Sequence, residues 1–322
     1  MHKPRPGLHI PPVFPVPLRP APFLLVWGTL AAFPVTLPAQ SRDLHRAILA
    51  RIERDSGATV GVALFDPVSG LRIEHQDALR FHAASTMKVA VLIELGRRID
   101  GGELRWTDSV PVTNRFASIV DGSPYQLDSE SDSDSTVFRA IGTHWSLRRL
   151  ATRMIVRSSN LATNLLVERL DPRRITATIR ALGADSMVVL RGVEDGKAYE
   201  RGLNNTTTAR DLARLLLAIG EARAASPATS HELLAILEAQ ELNDGIPAGL
   251  PAGTRVAHKT GEITATWHDA ALVFPPDGRP YVLVVLTRGI PTRERGVALH
   301  ADLGRLVHRE VIRRRANPGP GD

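Results

Sequence analysis

Ser85 and Lys88 stand three residues apart in Phe81-His-Ala-Ala-Ser85-Thr-Met-Lys88-Val-Ala-Val-Leu-Ile-Glu-Leu95. The apolar run that starts at Met87 predicts a buried helix, with Ser85 as its N-cap or a first-turn residue. On a helix, residues three apart share a face, so these two side chains can meet. A serine hydroxyl is a weak nucleophile until a base takes its proton. A lysine can be that base once an apolar pocket and nearby cations lower its pKa. Free N–H groups at the helix start would stabilise an oxyanion. The plainer reading is a capped core helix with a snorkelling lysine, and S-x-x-K alone is a weak signal.

Two more polar fragments fit the same chemistry. Ser158-Ser159-Asn160 separates two apolar helical stretches. Ser158 and Asn160 could simply cap a helix and round a turn. In a hydrolase, Ser158 would relay a proton to the leaving group, and Asn160 would orient Lys88 and a substrate amide. His258-Lys259-Thr260-Gly261-Glu262 joins a candidate strand to the rest of the sheet. Lys259 is either a surface charge or, with Thr260, the partner of a substrate carboxylate. Gly261 is either a bulge or the place where substrate packs along the strand. The N–H of Glu262 would be a second oxyanion donor.

The elements that must position these groups follow from periodicity. Helical spacing covers residues 41–54, 146–156, 161–170, 173–182, 208–219, 231–239 and 297–314, and strands are predicted at 59–65, 71–75, 255–259, 269–274 and 281–287. Strands near both chain ends with helices between them predict an α+β fold. Its antiparallel sheet is assembled from residues 40–89 and 221–322, flanked by helices and interrupted by a helical domain over 90–220. The seam between them is a natural pocket. Residues 1–39 are basic, proline-rich and then apolar, which predicts a cleaved export signal, with an uncleaved anchor as the rival. The run 128–135 (Asp-Ser-Glu-Ser-Asp-Ser-Asp-Ser) lacks the glycine and closing glutamate of a calcium loop and is predicted to be a solvated loop.

Composition removes several classes. The 322 residues are 43% hydrophobic, enough for a sizeable core. They include no cysteine, so disulfides, thiolate zinc sites and a cysteine nucleophile are excluded. Of the net charge of +6, three units come from Lys3, Arg5 and Arg19 in the leader, and another basic cluster is Arg313-Arg314-Arg315. No aromatic-interleaved basic groove accompanies them, so a solvated basic face is expected and nucleic acid is not a partner. The eleven histidines form no H-E-x-x-H; His231, His258 and His268 are expected to be structural or pocket-lining.

In type and order, Ser85-Thr-Met-Lys88, Ser158-Ser159-Asn160 and Lys259-Thr260-Gly261 resemble the S-x-x-K, S-D-N and K-T-G set of class A β-lactamases and penicillin-binding proteins, over about residues 45–312. The resemblance implies the two-domain β-lactamase-like fold, no metal and no organic cofactor. It also implies an acyl-enzyme on Ser85, formed with a β-lactam or a peptidoglycan peptide. Glu194, in Leu190-Arg-Gly-Val-Glu194-Asp195, matches the family's deacylating glutamate. The sequence departs from the pattern at Ser159, where S-D-N has aspartate, and at Ala198, where the family has asparagine. The loop from Glu194 to Thr206 is also about two residues short, and the residues after Gly261 differ. An exported, monomeric β-lactamase without stable membrane insertion is expected. The alternatives are a D-Ala-D-Ala carboxypeptidase or penicillin-interactive hydrolase, and a β-lactam receptor that does not hydrolyse.

Overall fold

The computed structural model describes residues 39–317, with side chains from residue 42. The targeting segment predicted over residues 1–39 lies outside them except for Ala39, the first residue of α1 (Ala39–Ile52).

The central sheet is antiparallel, in the order β2-β1-β11-β10-β9. Two strands come from the N-terminal part, β1 (Thr59–Phe65) and β2 (Arg72–His75). Three come from the C-terminal part: β9 (Arg255–Ile263), β10 (Thr266–Phe274) and β11 (Tyr281–Arg288). The sheet is thus built from both chain ends, as predicted. Alternate residues point to opposite faces of a strand. Val60, Val62, Leu64, Leu283 and Val285 pack in a core shared with Leu299, Leu303 and Val307 of α10 (Arg293–Ala316). Ala63, Val282, Val284 and Leu286 pack in the other core, with α2 (Lys88–Asp100). Both faces are covered, which explains why β11 reads as an unbroken apolar run.

Between the strands lie α3 (Ser135–Phe138), α4 (Leu147–Val156), α5 (Asn160–Leu170), α6 (Pro172–Ala181), α7 (Gly196–Glu200), α8 (Ala209–Gly220) and α9 (Pro227–Glu238). Short ladders join β3 (Phe81–His82) to β8 (Thr206–Thr207), β4 (Ser109–Pro111) to β7 (His144–Ser146), and β5 (Phe116–Ala117) to β6 (Pro124–Tyr125). The buried face of α2 includes Gly96, where a Cβ would come within 3.0 Å of Thr229 Cγ2 and 3.2 Å of Leu233 on α9.

Several local expectations change. Residues 84–87 form a separate 3-10 turn, α2 begins at Lys88, and its N-cap is Met87, so Ser85 is not the cap. Left-handed Ala84, with a φ of 44°, opens this turn, and Met87 and Lys88 keep right-handed helical angles, so the turn leads directly into α2. Strands β9 and β10 run well beyond their predicted ends, because Lys259, His268 and Asp269 are buried inside the sheet rather than marking its rim. In the run 128–135 the solvated loop is only half right, since Asp132 and Asp134 are buried. Nor are the C-terminal arginines a solvated face: Arg314 bonds Glu310, and Arg315 reaches Asp66 and Asp277. His231 is exposed on α9 rather than structural or pocket-lining.

Candidate active site

Lys88 is the centre of the arrangement. Its side chain is fully buried. Its Nζ donates to the Ser158 carbonyl (2.6 Å), to Ser158 Oγ (3.1 Å) and to Asn160 Oδ1 (2.9 Å). Burial drives its pKa well below the usual lysine value, and the cation of Lys259 adds to this, while Asp132 and Glu194 oppose it. Ser85 lies one turn before it, half-buried at the pocket floor, and no hydrogen bond joins Ser85 Oγ to Lys88. Ala84, just before Ser85, is held by His82, whose Nδ1 accepts the Ala84 N–H at 3.0 Å.

The turn between α4 and α5 brings in the second fragment. Ser158 has a left-handed φ of 59°, which points both its carbonyl and its hydroxyl at Lys88. Ser159, not Ser158, caps α5, accepting the Ala162 N–H at 3.2 Å. Asn160 faces two ways. Its Oδ1 meets Lys88, and its Nδ2 donates to Glu194 Oε1 at 2.7 Å.

Glu194 sits at a left-handed φ of 61° in the loop before α7. Partial desolvation of its carboxyl raises its pKa, against the bonds from Asn160 and the Asp128 N–H. Asp195 turns the other way: it is buried, caps α7 at Ala198 N, and accepts from Ser118 Oγ (2.9 Å) and Ile119 N (3.0 Å). Arg191 bonds Leu203 O, Gly192 O and Asn204 Oδ1, so no ion pair with Glu194 forms. Asn205 is likewise engaged by the backbone of Leu190 and Arg191.

The third fragment arrives on β9. Lys259 is fully buried rather than a surface charge, with Nζ 2.8 Å from the Thr260 carbonyl. Burial pulls its pKa down to about 7, against the attraction of Asp269 and Glu262. Gly261 sits within the regular β9–β10 ladder, opposite His268, and not at a bulge. A Cβ there would lie 3.0 Å from the backbone nitrogens of both Ser85 and Thr86, so glycine lets β9 close against the serine turn. Behind Lys259, His258 bridges Asp269 and Asn243, each at 2.9 Å, as a buried structural histidine.

The structure brings Ser85, Asn160, Glu194 and Glu262 to one cavity of about 280 Å³, which His82 and Tyr199 also line, while Thr260 and Gly261 line a smaller one with His268 and Arg293. Lys88, Ser158 and Lys259 lie buried behind that surface. Sequence reasoning missed His82, which bonds the Ala84 N–H two residues on, and Asp132 and Asn164, whose partners are near only in space. Asn164 Oδ1 accepts the Val193 N–H at 2.6 Å and steadies the residue before Glu194.

Comparison with known proteins agrees with this geometry. Residues 43–311 match the β-lactamase enzyme family. A β-lactamase of Nocardia asteroides is 30% identical over 285 residues, 87% of each chain. One from Streptomyces cacaoi is 28% identical over 261 residues, 77% of this chain and 78% of that one. Among solved structures, a mutant of PBP-A in an acyl-enzyme complex with penicillin G matches with a TM-score of 0.72 at 27% identity, over 86% of this chain and 100% of that one. With a family match over residues 43–311 and a relative 30% identical across 87% of each chain, the chain belongs to the β-lactamase enzyme family.

Proposed function

We propose that this protein is an exported serine β-lactamase that works through an acyl-enzyme on Ser85. Lys88, having lost a proton to solvent, takes the proton of Ser85 Oγ as that oxygen attacks the β-lactam carbonyl carbon. The N–H groups of Ser85 and Glu262 face the oxyanion. As the C–N bond breaks, Ser158 Oγ passes a proton to the ring nitrogen and regains one from Lys88. Lys259 and Thr260 hold the substrate carboxylate. Glu194 then takes a proton from water attacking the ester, and Ser85 leaves with that proton. The observation that carries this reading is Asn160, which ties the buried, depressed-pKa Lys88 to Glu194 through bonds of 2.9 and 2.7 Å.

A D-Ala-D-Ala carboxypeptidase is the second reading. It is favoured by Ala198, which offers no side-chain donor, and by Asn204 and Asn205, both committed to the loop, which leaves fewer groups to hold a deacylating water. The two separate by comparing hydrolysis of a chromogenic cephalosporin with D-Ala release from a D-Ala-D-Ala peptide. Faster cephalosporin turnover is expected, and the reverse order would favour the peptidase. Glu194→Gln should accumulate acyl-enzyme with its initial burst preserved; turnover at the parent rate would remove Glu194 as the base.

Export with removal of about 39 residues belongs to the same reading and rests on the sequence. N-terminal sequencing of native protein tests it, and a start at Met1 would oppose it. Among the described residues no helix is long and apolar enough to cross a membrane.

A further inference from the structure

In the run 128–135, residues 131–135 alternate: Asp132 and Asp134 point inward while Ser131, Ser133 and Ser135 are exposed. Asp134 caps α3 and pairs with Arg153. Asp132 does something different. One oxygen, Oδ2, accepts from the N–H of Asn160 (2.9 Å), the N–H of Leu161 (2.9 Å) and the hydroxyl of Ser159 (3.3 Å). Its Oδ1 accepts the N–H of Asp134 at 2.9 Å. Ser159 already caps the Ala162 N–H, so α5 has its own cap, and Asp132 takes the first-turn amides that this cap cannot reach. A carboxylate is well placed there against the positive end of the helix dipole.

The amide it holds belongs to Asn160, the residue that joins Lys88 to Glu194. Ser159 occupies the middle position of a triplet that resembles S-D-N, and its Oγ lies 3.3 Å from the Asp132 carboxylate. A carboxylate on residue 159 would therefore end beside the amides that Asp132 now serves.

We propose that Asp132 is a positioning residue for the reaction, a carboxylate delivered by the 128–135 loop in place of the aspartate absent at position 159. It holds the start of α5 so that Asn160 can bridge Lys88 and Glu194. The proposal rests on the hydrolase reading above. Displacing a positioned group by 1 Å can cost about 10²-fold in rate, so Asp132→Ala should slow acylation by a penicillin roughly 10- to 100-fold. Adding Ser159→Asp to Asp132→Ala should recover most of that rate, which a merely structural loss would not allow. Should Asp132→Ala fail to fold, Asp132→Asn replaces it: it keeps the volume but has a single acceptor oxygen, and a smaller loss with the same rescue is expected. Acylation at the parent rate in the single variant, or a lost rate that Ser159→Asp leaves unrecovered, would overturn the proposal. If the parent itself is not acylated, the hydrolase reading fails. The positioning claim is then decided by amide hydrogen exchange at Asn160 and Leu161. Faster exchange in Asp132→Ala, reversed in the double variant, supports it; unchanged exchange overturns it.

Discussion

Gly192→Ala should separate the two halves of the proposed cycle. Gly192 lies two residues before Glu194, and a Cβ there would stand 2.6 Å from Asn164 Oδ1 and 2.9 Å from its Cγ. The obstacle is space alone, because the φ of Gly192 is not positive. Asn164 is only 2% exposed, and its carboxamide brackets Val193, accepting the N–H at 2.6 Å and donating to the carbonyl at 3.0 Å. To restore ordinary contact, that carboxamide or the loop must retreat by roughly 1 Å. Both bonds then fail, and each buried polar group left without a partner costs about 1–3 kcal/mol. A loss of about 2–4 kcal/mol in stability is expected, since Val193 is only half-buried and water can meet part of the need. The functional effect should fall on Glu194: a shift of about 1 Å would slow deacylation roughly 10- to 100-fold. Ser85, Lys88 and Ser158 sit on other elements, so acylation should persist. Stopped-flow measurement with a chromogenic cephalosporin would show an unchanged burst followed by slower turnover, and urea unfolding would give the stability loss. Gly196→Ala is the control, because nothing lies within 4 Å of its added Cβ. An equal fall in burst and turnover, or no change in either, would refute the reasoning.

Other outcomes follow from the buried charges. Lys259, with its pKa pulled down to about 7, loses its charge as pH rises through that value, so kcat/KM for carboxylate-bearing substrates should fall on the alkaline side. Lys259→Ala should lower kcat/KM and flatten that limb; an unchanged value for both substrate types would sink its recognition role. Between about pH 7 and the ordinary lysine value near 10.4, the unfolded chain binds more protons at this residue than the folded one, so its contribution makes stability rise with pH across that window. Arg315→Ala leaves the fully buried Asp66 without its guanidinium, although Ser69 Oγ and the Val68 N–H still serve that carboxylate. Breaking a buried pair costs about 3–5 kcal/mol, and the lower end is expected here. A loss in urea unfolding below about 1 kcal/mol, the range of exposed pairs, would contradict this account of the C-terminal helix.

What could be read in the sequence was whatever is local or periodic. The apolar runs of β1 and β11 and the polar fragments around Ser85, Asn160 and Lys259 declare themselves within a few residues. What escaped depends on partners far along the chain. Arg315 reads as part of a basic patch because Asp66 lies 249 residues away. Asp132 reads as a solvated acid because the amides it serves belong to α5, nearly thirty residues on. The helix start is illegible for a different reason: an alanine gives no sign that its φ is left-handed, and only the His82 bond shows that the serine turn opens at Ala84. The far end of β9 (260–263) and the start of β10 (266–268) are illegible as strand because they mix polar with apolar residues, and buried His268 breaks the alternation that marks a strand.

The central claim is covalent: Ser85 carries the acyl group. Mass spectrometry of the purified protein after incubation with a slowly hydrolysed β-lactam tests it most directly. The account predicts one adduct, on the peptide that contains Ser85, and none on Ser85→Ala. Equal labelling of Ser85→Ala, or an adduct confined to another peptide, would contradict it.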